Sequence, residues 1–449
     1  MKQYLNSYWF RSAYYSFLQR FSIILFGLFN FMILARILSV PEMGIWGLFL
    51  TIITLAENTK TALLKNAHIK FVSSNLESEE KSVVASSSLL INLAITLLYV
   101  LLIVVFGPLI SGLLNMELTF AQLLNWFIPG LMVMAFFAHL EAVQQSHFDF
   151  KGVFAGNFTR QFLFFIILLI HYIFKIDFPL YYLSIYFSLS ILAGLAVLYL
   201  YSKKYLLGRF NPSKKMTGQL LHFGGYIFGS SVLSSIFANL DQLLTARFLT
   251  PVSVAFYNTA KRINGFIDIP TYAGAEILFP KMSQAASAKG IEGVRNLYEK
   301  MVSVLLALII PAALVVIIFP KLFIYILAGT RYYAAAPLLQ LYMFISIIGT
   351  FQHQSATSLD SMGKTRLNFT ANLVAFFIKL LLTFLFLKYM GFYGAITAAV
   401  ITSVISAVIW YVLIRKQTGV HFSSIFKNIF LMYGQAYTQV LQLIRKNKS

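Results

Sequence analysis

The chain has 449 residues, 59% of them hydrophobic and only 11% charged, with a formal net charge of +20. A soluble domain carries about 25% charged residues, and a mean hydropathy of +0.77 leaves too little polar surface to dissolve a body this size. Lipid must cover much of the exterior. The absence of cysteine excludes a disulfide framework, a thiolate metal site and a cysteine nucleophile.

A spanning helix needs about 20 mostly apolar residues. Runs of that kind fall at Ser12–Leu38, Gly44–Leu64, Val83–Phe106, Leu118–Val143, Val153–Phe174 and Leu180–Tyr201. The first lacks a small-residue cleavage site, so it reads as a span and not as a signal peptide. A basic linker, Lys203 to Lys215 with Gly208 and Pro212, follows. The next runs are Leu220–Leu249, Val252–Leu278, Leu297–Leu327, Ala334–Leu359, Leu367–Lys388 and Phe392–Ile414. The expected fold is therefore an all-α integral membrane protein of about twelve transmembrane helices in two six-helix lobes. The expected organisation is residues 1–206, residues 207–414 and a tail, 415–449. In the tail Phe422, Ile425, Phe426, Ile429, Phe430 and Tyr433 recur at helical spacing, which predicts an amphipathic helix on the inner leaflet. Gln435, Gln439 and Gln442 make its second half too polar for a further span.

The loops alternate in charge. Both termini and the even-numbered loops hold clusters such as Lys60, Lys65, Lys70 and Lys81, or Lys203, Lys204, Arg209, Lys214 and Lys215. The odd-numbered loops hold Arg36, Lys175, Arg247, Lys321, Arg331 and Lys388. The positive-inside rule then places both termini in the cytoplasm. Because the basic residues sit in short loops and not on one soluble face, a nucleic-acid partner is not expected.

The halves echo each other. Ile33-Leu34-Ala35-Arg36-Ile37-Leu38-Ser39 resembles Leu244-Thr245-Ala246-Arg247-Phe248-Leu249-Thr250, an offset of 211 residues. The same offset maps Asn30 onto Asp241, Trp46 onto Tyr257 and Glu57 onto Asp268. Six spans plus six, entering from the same side, make a parallel repeat; such transporters place the substrate between the halves and work by rocking.

Residues Phe29 to Ile52, with Ala-Arg-x-Leu followed by Pro41-Glu42-Met43-Gly44, resemble the first helix-to-helix turn of the polysaccharide-transporter, O-antigen-type flippases. Asn239 to Arg262 resembles their seventh and eighth helices, and Ile277-Leu278-Phe279-Pro280-Lys281-Met282-Ser283 resembles their Leu-x-Pro-x-x-Ser ending. Ala255 stands where that family often has Gly. The family is a branch of the multidrug, oligosaccharidyl-lipid and polysaccharide exporter superfamily. The resemblance implies export of undecaprenyl-diphosphate-linked oligosaccharides across the bacterial plasma (inner) membrane through a cationic cavity. It also implies polysaccharide polymerase and glycosyltransferase partners.

A basic side chain at mid-bilayer costs roughly 2.5–3.5 kcal/mol on insertion scales, so it faces water or a partner. A diphosphate headgroup needs such side chains to replace its hydration, while its lipid tail stays among membrane lipids. Lys379 is the sharpest candidate, near the middle of the eleventh span, with Asn368 and Asn372 on its helical face. Lys261 and Arg262 lie near the middle of the eighth. Lys261 shares a face with Asn264 and Asp268, and an ion pair with Asp268 is the competing reading. Arg20 and Arg160 lie toward the inside, where snorkelling competes. Lys60 stands one turn after Glu57, and an intrahelical pair competes with a ligand role. Glu57, Asp241 and Asp268 either pair with bases or exchange a proton or sodium ion.

His68, His139, His147, His171, His222, His353 and His421 are scattered without zinc spacing, and His139 reads as structural. No Walker loop, dinucleotide fingerprint or nucleophile elbow occurs, so no metal, cofactor or catalytic residue is expected. Two other readings stay open. An ion-coupled multidrug antiporter of the same superfamily would favour acids in its cavity. A membrane polymerase or acyltransferase would need a large outer loop or a deep catalytic histidine.

Overall fold

The computed structural model describes residues 8–73, 78–116, 118–206 and 210–446. Lys2, Gly208 and Arg209 of the charge pattern lie outside the described residues. The chain forms helices α1 (Tyr8–Ile37), α2 (Val40–Ser73), α3 (Ser78–Leu113), α4 (Leu118–Trp126), α5 (Ile128–Ser146), α6 (Lys151–Phe174) and α7 (Tyr182–Ser202). These are followed by α8 (Lys214–Phe248), α9 (Pro251–Ile267), α10 (Ile269–Ile318), α11 (Pro320–Ala328), α12 (Ala336–Ser361), α13 (Thr365–Thr418) and α14 (Phe422–Lys446). Among the described residues eight helices are long and apolar enough to cross a membrane, or nine if the bent pair α4–α5 is one span.

Two of those helices hold two spans each. At 1.5 Å per residue, α10 with 50 residues and α13 with 54 would run roughly 75–80 Å, against about 30 Å of hydrocarbon. Each breaks at a glycine in the left-handed region, Gly290 (φ 63°) and Gly391 (φ 59°). A Cβ on Gly274 would sit 2.9 Å from Leu305, and these residues lie about equally far from Gly290 along the chain. The arms therefore fold back on each other. Gly394 lies against Phe386 in the same way, around Gly391.

Every expected span falls on helix, but three are not single straight rods. The fourth is broken by 45° between α4 and α5, where Pro129 enters the first turn of α5. The eighth is interrupted at Asp268, with Pro270 in the first turn of α10. The ninth breaks at Phe319, ahead of Pro320. Proline removes a ladder hydrogen bond and crowds the preceding turn, and each break follows that rule.

The chain divides into two compact units, Met1–Ala255 and Phe256–Ser449. In the first, Trp46 (1% exposed) packs with Phe49 at 5.0 Å between ring centroids, with Phe164 and Phe187 beyond. Ser39 caps α2 in a reciprocal box: its backbone N–H donates to Glu42 Oε2 at 2.9 Å and the Glu42 N–H donates to Ser39 Oγ at 3.4 Å. The sequence repeat sets α8 in the second half, yet α8 packs along α2 within the first unit. Gly224 of α8 meets the Leu63 carbonyl, Gln242 donates to the Gly47 carbonyl at 3.3 Å, and Gly44 meets the Pro251 carbonyl. Backbone approaches this close need glycine.

In the second unit the core gathers Leu278, Met282, Val294, Tyr298, Val302 and Leu306 of α10 with Trp410 and Ile414 of α13. Ile425 and Ile429 of α14 enter this core, Ser303 Oγ donates to the Ile425 carbonyl at 3.1 Å, and the Tyr433 hydroxyl donates to the Ala307 carbonyl at 2.9 Å. The tail's apolar residues thus divide between the core and the exposed surface, where Phe426 and Phe430 stay.

Candidate functional site

The polar side chains that the apolar helices carry inward gather separately in the two units. In the first, α2, α3 and α5 line an open pocket whose walls include Lys60, Lys65, His68, Ser88, Asn92, His139 and Glu141. Lys60 Nζ lies 2.7 Å from Glu57 Oε1, the two side chains being 2% and 12% exposed. It also donates to Thr96 Oγ1 at 3.3 Å. Lys65, one quarter exposed, lies 3.6 Å from Glu141, and Asn157 Nδ2 donates to the other Glu141 oxygen at 2.5 Å. The Arg160 guanidinium stands 5.1 Å over the Phe137 ring, its Nε is buried without a hydrogen-bond partner, and the Glu141 and Glu57 carboxylates lie within electrostatic range.

Lys60 is therefore the partner of Glu57, as the competing reading had it. Lys60 with Glu57 and the partly exposed Lys65 with Glu141 leave Arg160 as the surplus charge of this network. The histidines were undervalued in the sequence. His68 Nδ1 lies 2.8 Å from Ser88 Oγ, which lies 3.5 Å from His139 Nδ1, and the two imidazoles stand edge to face at 5.6 Å. They lie 71 positions apart on α2 and α5, so no spacing rule could have joined them.

In the second unit amides and hydroxyls gather around the acids Asp268 and Asp360. Asn264 Nδ2 donates to Asp268 Oδ2 at 2.7 Å, and Ser346 Oγ of α12 donates to Asn264 Oδ1 at 2.7 Å. Further along the same pair of helices, Thr271 and Thr350 hydroxyls meet at 3.0 Å, and Gln354 Nε2 donates to the Thr271 carbonyl at 2.8 Å. Asp268 makes no ion pair among the described residues, so the expected competitor, a Lys261–Asp268 bridge, is replaced by the amide of Asn264. Lys261 Nζ lies instead 6.0 Å from the Tyr257 ring centroid. Arg262 keeps an exposed side chain, and Lys261 and Lys379 are half-buried. Asn372 donates to Asn368 Oδ1 at 2.7 Å and Asn368 donates to Asp360 at 2.7 Å. That chain of amides explains the polar face shared with Lys379.

Arg20 is exposed on α1 and Asp241 is 5% exposed on α8. The repeat is visible in burial as well as in sequence. Ala35 and Ala246 are both fully buried, Trp46 and Tyr257 both nearly so, and Asn30 (6%) matches Asp241 (5%). Arg36 turns back to donate to its own helix at Met32 O, 2.7 Å, whereas the Arg247 carbonyl accepts from Asn115 at 2.5 Å. Among the described residues no group of three or more His, Asp or Glu side chains is placed to hold a metal ion.

Comparison with known proteins agrees with this architecture. The chain is 23% identical over 247 residues to a Haloferax volcanii protein named as a probable low-salt glycan biosynthesis flippase, Agl15, covering 55% of this chain and 50% of that one. The chain thus spans about half the length of that curated relative. Among solved structures, an inward-facing multidrug resistance MATE family transporter superposes with a TM-score of 0.77 at 13% identity, covering 90% of this chain and 96% of that one. The lipid II flippase MurJ, in an inward closed conformation, superposes with a TM-score of 0.75 at 15% identity, covering 96% and 93%. A second family profile, MatE, matches residues 227–385. The profile described as polysaccharide biosynthesis protein matches residues 10–286, and the chain belongs to that family, within the multidrug, oligosaccharidyl-lipid and polysaccharide exporter superfamily.

Proposed function

We propose that this protein is a flippase that carries an undecaprenyl-diphosphate-linked oligosaccharide from the inner to the outer leaflet of a bacterial plasma membrane, by alternating access. Both termini then lie in the cytoplasm, and glycosyltransferases and a polymerase act before and after it. Family membership supports the class of cargo, as does likeness to a glycan biosynthesis flippase and to the fold of a lipid II flippase.

The observation that carries the reading is Arg262. It stands eleven residues into α9, which is roughly 16 Å of rise and so about half of the hydrocarbon thickness. Its side chain is nevertheless exposed. A guanidinium at that depth faces water and not hydrocarbon, and its planar fork suits a phosphate bidentately. Lys261, Lys379, Arg20 and Arg160 are the further headgroup ligands in this reading, with Asn372 supporting. Lys60, paired with Glu57 at 2.7 Å, is left outside that set in this reading. A proton or sodium ion supplies the drive.

The test is export of surface glycan in cells that carry Arg262→Gln, with insertion checked by immunoblot. Accumulation of the lipid-linked precursor at unchanged protein level is expected, with partial rescue by Arg262→Lys. Full export in R262Q removes Arg262 from the site. Transport of organic cations by the purified protein, with no response to diphospholipids, favours the antiporter that the MatE match raises.

A further inference from the structure

A row of amides runs along the start of α13, and its direction is fixed by one acid. Asp360, in the last turn of α12, only accepts hydrogen bonds when ionised. Among the described residues it makes no ion pair, and the neighbouring Lys364 donates to Gln417 instead. The Asp360 carboxylate takes an N–H of Asn368 at 2.7 Å. That turns the Asn368 oxygen toward Asn372, whose amide nitrogen donates to it at 2.7 Å and to the Asn368 backbone carbonyl at 3.1 Å. An amide nitrogen carries two N–H donors, and Asn372 directs its donors at Asn368. What Asn372 still offers is its oxygen, which can only accept.

Depth and exposure are the second observation. Asn372 lies five residues past Leu367, where the apolar run begins, which is roughly 8 Å of rise. Lys379 lies about 10 Å further along the same face. The Asn372 side chain is exposed, and Asn368 and Asp360 are half-buried. An amide oxygen left against hydrocarbon goes without a partner, so this row meets water or a polar ligand. Phosphate does not suit the Asn372 oxygen, because phosphate oxygens also accept and two acceptors repel. A sugar hydroxyl donates, and so complements it. One turn on stands Phe376, half-buried with its ring 5.5 Å from that of Phe377. A ring beside planar polar groups suits a pyranose, which presents C–H bonds on its faces and hydroxyls at its rim.

We propose that Asp360, Asn368 and Asn372 form a saccharide subsite, in which the Asn372 oxygen accepts from a sugar hydroxyl. Each amide that donates toward the Asp360 charge is polarised by it, and its own oxygen becomes the stronger acceptor. The proposal rests on the flippase reading above and deepens it: Lys379 keeps the diphosphate, and Asn372 serves the sugars.

The test titrates the full chain in lipid nanodiscs with two probes, bare undecaprenyl diphosphate and the undecaprenyl-diphosphate-linked oligosaccharide extracted from the producing strain. Binding is read by native mass spectrometry, and the quantity compared is the ratio of the two affinities. The native chain should prefer the glycan-bearing lipid. Asn372→Leu should cut that preference about three- to tenfold, the contribution of one hydrogen bond. Asn372→Gln keeps an amide oxygen on a longer arm and should recover part of the preference, which separates a lost acceptor from a disturbed helix. Arg262→Gln should weaken both lipids together and hold the ratio. A native chain that binds both lipids equally, or an N372L ratio equal to the native one, overturns the saccharide subsite and leaves the flippase reading standing. A native chain that binds neither lipid overturns that reading, and the subsite with it.

Discussion

Glu57→Gln and Lys60→Met should each destabilise the protein severely, while the double variant should be close to native. At the observed 2.7 Å the Coulomb attraction is about 6 kcal/mol with an effective dielectric of roughly 20. Desolvation of two ions offsets several kcal/mol of that for each ion, so the intact pair contributes little net. Removing one partner is different. In E57Q the Lys60 ammonium, 2% exposed, loses its counter-charge and keeps only neutral acceptors, among them the Thr96 hydroxyl at 3.3 Å. Stranded charges of this kind cost about 3–5 kcal/mol, a factor of roughly 10² to 10⁴ in the folding equilibrium. The double variant removes one positive and one negative charge, so the balance felt by Arg160 and Glu141 is kept, and a loss of only about 1–2 kcal/mol is expected. Unfolding of the detergent-solubilised full chain in a denaturing detergent series, analysed as a double-mutant cycle, measures each term. Single variants that cost under about 1 kcal/mol, or a double variant that costs the sum of the singles, would refute the assignment. A double variant that is stable yet cannot export glycan would return Lys60 to the list of ligands.

Two further outcomes follow from the packing and the loops. A Cβ on Gly44 would lie 1.8 Å from the Pro251 carbonyl oxygen, and one on Gly224 would lie 1.9 Å from that of Leu63; backbone must move, so Ala at either position should cost about 1–3 kcal/mol or more. Gly349 has nothing within 4 Å of its added Cβ, so Gly349→Ala should be neutral or stabilising by up to about 1 kcal/mol, and thermal unfolding separates the cases. In the loop before α6, burial raises the carboxyl of Asp149, but Lys204 at 2.9 Å, the Tyr205 hydroxyl at 3.0 Å and the Lys151 N–H at 3.2 Å outweigh it and hold Asp149 below its ordinary value. Its contribution to stability is therefore present above the unfolded value of about 3.9 and lost as pH falls through the lower folded one. Asp149→Asn should flatten the acid limb of a stability–pH curve, and an unchanged limb would show that the contacts contribute nothing.

Helix content and span order were legible because apolar run length alone decides them in lipid. The proline positions also announced the breaks, though the sequence reading left them inside spans: Pro129, Pro270 and Pro320 each mark an interruption that hydropathy averages away. The hairpins at Gly290 and Gly391 were legible as loops between spans, because a basic or glycine-bearing interruption ends an apolar run. Side-chain partners were legible only where they are local. Glu57 and Lys60 lie one turn apart, and both readings of that pair could be written down in advance. His68, Ser88 and His139 come from three helices, and their meeting depends on how α2, α3 and α5 pack. The Asn264 amide beat Lys261 for Asp268 for a reason no face diagram carries. Both share a helical face with the acid, but Lys261 is seven residues away and lies against Tyr257, whereas Asn264 is four residues away and fixed from behind by Ser346.

The two units meet the cost of polar groups in lipid by different means, and the difference bears on which can deform. In the first unit the interior is ionic: Lys60 with Glu57, Lys65 with Glu141, and Arg160 held over Phe137. Moving any one of these exposes an uncompensated charge, at several kcal/mol. In the second, Thr271 with Thr350, Gln354 with a carbonyl and Asn264 with Ser346 form a neutral zipper between α9–α10 and α12. Hydrogen bonds of this kind between membrane helices are worth about 0.6 kcal/mol each on average, so breaking and remaking several costs less than stranding one ion. At the break between α9 and α10, Asp268 is held by the Asn264 amide and makes no ion pair among the described residues. On these costs the second unit is the cheaper of the two to rearrange, because there the repeat has replaced the buried cation Lys60 by the hydroxyl of Thr271.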